Sequence, residues 1–83
     1  VVVQVGEKTI ALFKKGEEYF AIDNTCPHRG GSLGDGFVDD VIVTCPLHGW
    51  QFDIASGKNT MTPDIGVRTY PVDVRGEDIF IEV

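Results

Sequence analysis

Apolar residues recur along the chain in short stretches with a two-residue alternation, each bounded by turn-forming residues. This pattern predicts strands over 1–5, 9–14, 19–23, 37–44, 50–54, 67–74 and 79–83. Turns are signalled by Gly6-Glu7, Lys15-Gly16-Glu17, Asp39-Asp40, Ser56-Gly57-Lys58 and Arg75-Gly76-Glu77-Asp78. Tyr70, Val72 and Val74 alternate with polar or Pro positions, and Ile79, Ile81 and Val83 answer them across the last turn. No stretch carries a convincing helical spacing. The expected fold class is therefore all-β, an antiparallel meander whose last hairpin closes the sheet. Three irregular segments interrupt the strands: 24–36, 45–49 and 59–66, the last carrying Pro63. Such loops, more than strands, are where chemistry resides.

Neither an internal repeat nor a linker divides the chain, so residues 1–83 are expected to form a single domain. Seven Lys and Arg stand against 13 Asp and Glu, giving a net charge of −6. The cations are scattered, and an acidic surface repels phosphate, so nucleic acid is excluded as an expected partner. No apolar run approaches the ~18 residues needed to cross a bilayer, and no basic-then-apolar leader opens the chain. A soluble cytoplasmic protein without membrane attachment is expected. The chain starts at Val1 and not at Met, so preceding residues are expected in the natural protein.

A chain of this size buries a modest core, and many such domains lean on disulfides or a metal. There are two Cys and two His in all, and they lie together: Cys26-Pro27-His28-Arg29-Gly30-Gly31 and Cys45-Pro46-Leu47-His48-Gly49-Trp50. A single Cys26–Cys45 disulfide is one reading, in an oxidising compartment. The alternative is a metal cage, since each segment pairs a soft with a borderline ligand. Pro after each Cys stiffens the backbone, while Gly after or near each His lets it turn tightly, with N–H groups free to face an anion such as sulfide. Cys₂His₂ is also a structural zinc set, but zinc pairs usually read C-x₂₋₄-C followed by H-x₃₋₅-H, whereas here each segment mixes Cys and His.

The C-x-H and C-x-x-H boxes resemble those of the Rieske-type [2Fe–2S] proteins. The similarity extends through Gly30-Gly31-Ser32-Leu33-Gly34-Asp35-Gly36 and through Cys45 to Asp53. It implies a small antiparallel sandwich or barrel with two cluster-binding loops at one end. It further implies one [2Fe–2S] cluster per chain, with Cys26 and Cys45 on one iron and His28 and His48 on the other. Replacing two thiolates by neutral imidazoles raises the potential above that of all-Cys ferredoxins. The segment around Pro63 would supply a third, covering loop. The high-potential branch of the family carries an extra Cys in each box, forming a disulfide between loops, and a Ser and a Tyr after the second His. Gly31, Leu47, Trp50 and Phe52 stand at those positions, which implies a low-potential ferredoxin.

On this resemblance the expected function is a one-electron carrier between a reductase and a terminal oxygenase or reductase, without enzymatic activity of its own. Two alternatives stay open: the small subunit of an NAD(P)H-dependent nitrite reductase, and a zinc-bound interaction module. Other features read more simply. The glycines from 30 to 36 lack the Lys-Ser/Thr pair of a phosphate loop, and the Asp39-Asp40 and Glu17-Glu18 pairs sit at turn signals, where solvated carboxylates are ordinary. Phe13, Phe20, Phe52, Tyr70 and Phe80 are expected in the core or on sheet faces. Trp50 suits either the core or a docking surface beside the cluster.

Overall fold

In a computed structural model, residues 1–27, 30–47 and 49–83 are described. Nine antiparallel strands form three sheets among them. Strands β1 (Val2–Val5), β2 (Lys8–Lys15), β3 (Glu18–Asp23) and β7 (Thr69–Tyr70) make a four-stranded sheet in that order. Strands β4 (Phe37–Asp39), β5 (Ile42–Thr44) and β6 (Gln51–Asp53) make a second, and β8 (Val72–Arg75) pairs with β9 (Asp78–Ile81) as a hairpin. A single 3₁₀ turn, Leu33–Asp35, is the helical element among the described residues.

The two central strands of the large sheet are buried on both faces, which explains why they are the most continuously apolar segments. Ile10 and Ala21 point to one face, where Tyr70 joins them and Val3, Val5, Leu12, Val72 and Ile81 cover them. Ala11, Phe13 and Ile22 point to the other, against Leu33, Val43, Phe52 and Ile54. The four-stranded sheet therefore lies between the hairpin and the three-stranded sheet. Each fully buried side chain of the size of Ile22, Leu33 or Phe52 contributes about 1.5–3 kcal/mol through removal from water.

Three expectations are corrected. The segment 37–44 is two strands and not one: Asp40, at φ 56°, turns the chain between β4 and β5, and its carboxylate pairs with Lys15. Asp tolerates that left-handed conformation better than most residues. The segment 67–74 breaks at Pro71, which has no N–H to give to a ladder, and its pairing begins at Thr69. The final hairpin forms its own two-stranded sheet instead of closing the four-stranded one. Of the aromatic residues, Phe13, Phe52 and Tyr70 are buried, Phe20 is half-buried against the core, and Phe80 is 50% exposed.

Candidate metal centre

The two cysteines emerge from neighbouring strand ends. Cys26 lies beyond the end of β3 in the four-stranded sheet and Cys45 directly follows β5 in the three-stranded sheet, and packing between the two sheets brings both into one core cluster. Each is 1% exposed, and both belong to the core cluster that includes Leu33, Val43 and Phe52. Both are free thiols, which removes the disulfide reading.

Local hydrogen bonds close each loop into a cup. In the first, the Cys26 N–H donates to Gly31 O at 2.9 Å and the Gly30 N–H donates to Cys26 O at 2.8 Å, with Gly30 in the left-handed region at φ +72°. In the second, the Cys45 N–H donates to Trp50 O at 2.7 Å, and Gly49 turns the chain at φ +73°. A side chain with a Cβ is strained at both glycines, so the tight turns read from the sequence have a backbone cause. His28, Arg29 and His48 lie outside the described residues. Among the described residues no third His, Cys, Asp or Glu completes a metal-binding group with the two cysteines.

The chemistry of the pair suits a cation. Burial pushes the Cys45 thiol up from its ordinary value; the Leu47 N–H pulls it down, and the adjacent Cys26 thiol pushes it up again. Two neighbouring thiolates in an apolar core repel each other, and a bound metal ion reverses that preference by supplying positive charge between them. Space is also kept open beside one sulfur: a Cβ on Gly31 would lie 2.7 Å from Cys45 Sγ. A soft-metal centre held by thiolates fits these residues.

The third irregular segment stands against the second loop. A cleft of about 300 Å³ runs between them, lined by Gly49 and Trp50 on one side and Thr60, Met61 and Thr62 on the other. Asn59, 5% exposed, shapes this segment by accepting from the N–H groups of Met61 at 2.8 Å and Thr62 at 2.9 Å. Trp50 is half-buried, packing on the core while lining the cleft. Leu47 and Met61 are exposed at 45% and 89%. Glu17 and Asp40 are on turns and Glu18 and Asp39 at the strand ends beside them, all four exposed.

Sequence reasoning passed over Asn24 and Asp23, immediately upstream of the first box. Asn24 is 7% exposed, and its side chain binds the far limb of the first loop. Asp23 accepts from the Tyr70 hydroxyl at 2.5 Å. An Asx pair just before a loop of glycines was the available signal.

The Rieske [2Fe–2S] domain pattern matches residues 1–71. The chain is 43% identical over 76 residues to the 3-phenylpropionate/cinnamic acid dioxygenase ferredoxin subunit of Escherichia coli (strain K12), covering 89% of this chain and 72% of that one. Its fold superposes with a TM-score of 0.87 on a chain from the complex of reduced oxygenase and oxidized ferredoxin in carbazole 1,9a-dioxygenase, at 27% identity over 98% of this chain and 84% of the other. It superposes at 0.85, with 26% identity, on a structure described as an NADH-dependent nitrite reductase small subunit from Mycobacterium tuberculosis, covering 95% and 76%.

Proposed function

The chain belongs to the Rieske [2Fe–2S] domain family, and from that premise we propose that Cys26, His28, Cys45 and His48 hold its one cluster and that residues 1–83 form a single electron-carrying domain. The protein is a one-electron carrier of the ferredoxin type, taking electrons from a reductase and delivering them to a terminal oxygenase. The observation that supports the ligand set is the pair of free thiols, each 1% exposed, presented by two loops that both contain a His in the sequence.

When bound, the [2Fe–2S] cluster supplies a one-electron couple whose potential responds to ligand charge and hydrogen bonding. Cys26 and Cys45 supply the thiolates, and the core around them excludes water. The Leu47 N–H directed at Cys45 stabilises negative charge on that sulfur. Leu47 and Met61 present apolar surface near the loop tips, where a partner protein would meet the domain. With His28 and His48 engaged as ligands, the chain has no other His for general-base catalysis, so turnover belongs to the partner. No described helix is long and apolar enough to cross a membrane. The cytoplasm, which keeps thiols reduced, suits two free cysteines.

Visible and EPR spectra of the purified protein test the cofactor, and an assay of a reductase, this protein and a dioxygenase tests the carrier role. Omitting the protein should stop substrate oxidation. A colourless preparation holding zinc would sink the cluster reading. The resemblance to the nitrite reductase small subunit supports a second reading, and stable co-purification with a large reductase subunit would favour it.

A further inference from the structure

We propose that Asn24 is a positioning residue for the metal centre: by fastening the neck of the first loop to the sheet, it sets how closely Gly31 approaches the Cys45 sulfur. The proposal rests on the assignment of Cys26 and Cys45 as ligands.

All four polar groups of Asn24 are engaged. Its backbone N–H donates to Thr9 O at 3.0 Å, tying it to the four-stranded sheet, and its carbonyl accepts from the Leu33 N–H at 2.8 Å. Its side chain reaches across the loop, where Oδ1 accepts from the Gly34 N–H at 2.7 Å and Nδ2 donates to Ser32 Oγ at 3.0 Å. Three bonds thus run from one residue to three consecutive positions, 32 to 34, on the returning limb. The fit is close on that side, since a Cβ on Gly34 would lie 2.9 Å from Asn24 Oδ1 and 2.5 Å from Val2 Cγ2.

From this neck the loop is zipped toward the cysteines. Thr25 and Ser32 form an isolated bridge, and the Cys26 N–H donates to Gly31 O at 2.9 Å. Gly31 is therefore held from both sides, by Cys26 ahead and by Ser32 behind. It is the residue whose bare Cα faces the second cysteine, with a Cβ there only 2.7 Å from Cys45 Sγ. Removing the Asn24 amide leaves the Gly34 N–H without its acceptor at a half-buried site and frees Ser32. The limb carrying Gly31 then loses its reference to the sheet, and the relation between the two ligand loops loosens.

A merely structural residue would change thermal stability alone, so the test compares Asn24→Ala with Ile10→Val, a destabilising change in the core cluster on the opposite face of the sheet. Cluster-loaded wild type and variants are examined by thermal unfolding, by EPR of the reduced state, and by the rate of iron loss to a ferrous chelator. Asn24→Ala should lose iron about tenfold faster than Ile10→Val at equal distance below the unfolding midpoint, and its g-values should shift, the factor being that of one orphaned hydrogen bond. Ser32→Ala, which removes one of the two side-chain bonds, should move both readouts the same way by less, and it decides the question if Asn24→Ala does not fold. Iron-loss rates and g-values that match Ile10→Val would overturn the proposal. A wild type that binds no iron sinks the ligand assignment and this role together, whereas a loaded wild type with unaltered variants sinks this role alone.

Discussion

Gly31 and Leu47 face each other across the two cysteine loops: a Cβ added at Gly31 would stand 3.4 Å from the Leu47 Cβ and 3.2 Å from its Cγ. These are the positions at which the high-potential branch carries its extra cysteines and this chain does not. A Cβ–Cβ separation of about 3.5–4.5 Å is what a disulfide needs, and Gly31 does not occupy the left-handed region, so a side chain suits its backbone. The double variant Gly31→Cys/Leu47→Cys should form an inter-loop bridge once the limb or the Cys45 side chain shifts, since a Cβ at Gly31 would otherwise lie only 2.7 Å from Cys45 Sγ. Mass spectrometry after alkylation should find two thiols fewer than in the reduced protein, and iron loss to a chelator should slow. Full alkylation under oxidising conditions would contradict the contact between the loops.

Phe52 is fully buried in the core cluster that contains both cysteines, its ring 6.5 Å from that of Trp50. Neither side chain offers a hydroxyl to the centre, and the expected midpoint potential is near the low end of the Rieske range, about −150 mV. In Phe52→Tyr the new hydroxyl is placed in the same dry region and needs an acceptor, for which Cys45 sulfur is a candidate partner. A net hydrogen bond of about 0.5–1.5 kcal/mol favouring the more negative, reduced state corresponds to a rise of about 20–60 mV for one electron. Protein-film voltammetry reads it. An unchanged potential with an intact visible spectrum would mean that the hydroxyl is satisfied elsewhere.

The pairing of the two thiols was legible in the sequence because its signal is local: C-x-H and C-x-x-H mark the two segments, and flanking Gly and Pro name the turns. Strands β1 to β3 were legible because their apolar alternation is strong. What was not legible depends on register between distant segments. Asn24 reads as an ordinary loop residue until the 3₁₀ turn at Leu33–Asp35 brings Gly34 under its side chain. The break at Pro71 was signalled by residue type but overridden by the alternation on either side. Asp23 and Tyr70 meet because β3 pairs with β7, aligning Ile22 with Thr69, a pairing that no local pattern specifies.

Replacing either thiol should disable the centre. Cys26→Ser or Cys45→Ser exchanges a soft thiolate for a harder, weaker ligand and should abolish stable assembly, read as iron and sulfide content. Folding should weaken too, because a domain of this size relies on its cofactor as a brace. Full iron content in either variant would refute the role of that residue. His28→Cys should retain a cluster at lower potential, since a thiolate adds negative charge that an imidazole lacks.

Tyr70 links the start of the first loop to the neighbouring strand and makes stability depend on pH in the alkaline range. Its ring is 6% exposed, and its hydroxyl donates to Asp23 Oδ1, while Asp23 Oδ2 accepts from the Arg68 N–H at 3.3 Å. Burial pushes the phenol up from its ordinary value, the hydrogen bond to Asp23 and that carboxylate's charge add to the rise, and the Arg68 guanidinium opposes it. Lys8 also approaches the ring, 6.0 Å from its centroid. Below the unfolded value of about 10 the phenol is protonated in both states, and its contribution is fully present. Above that, the unfolded chain releases the proton while the folded one retains it, so the unfolded state binds fewer protons and stability falls by up to about 1.4 kcal/mol per pH unit until the folded phenol ionises. Tyr70→Phe should lower stability at pH 8 by about 1.5 kcal/mol through loss of the charge-assisted bond. The gap between wild type and variant should stay constant to about pH 9 and narrow steadily from about pH 10 upward. Urea denaturation of both proteins at a series of pH values gives the comparison, and a gap that stays level to pH 11 would show that Tyr70 does not carry the dependence.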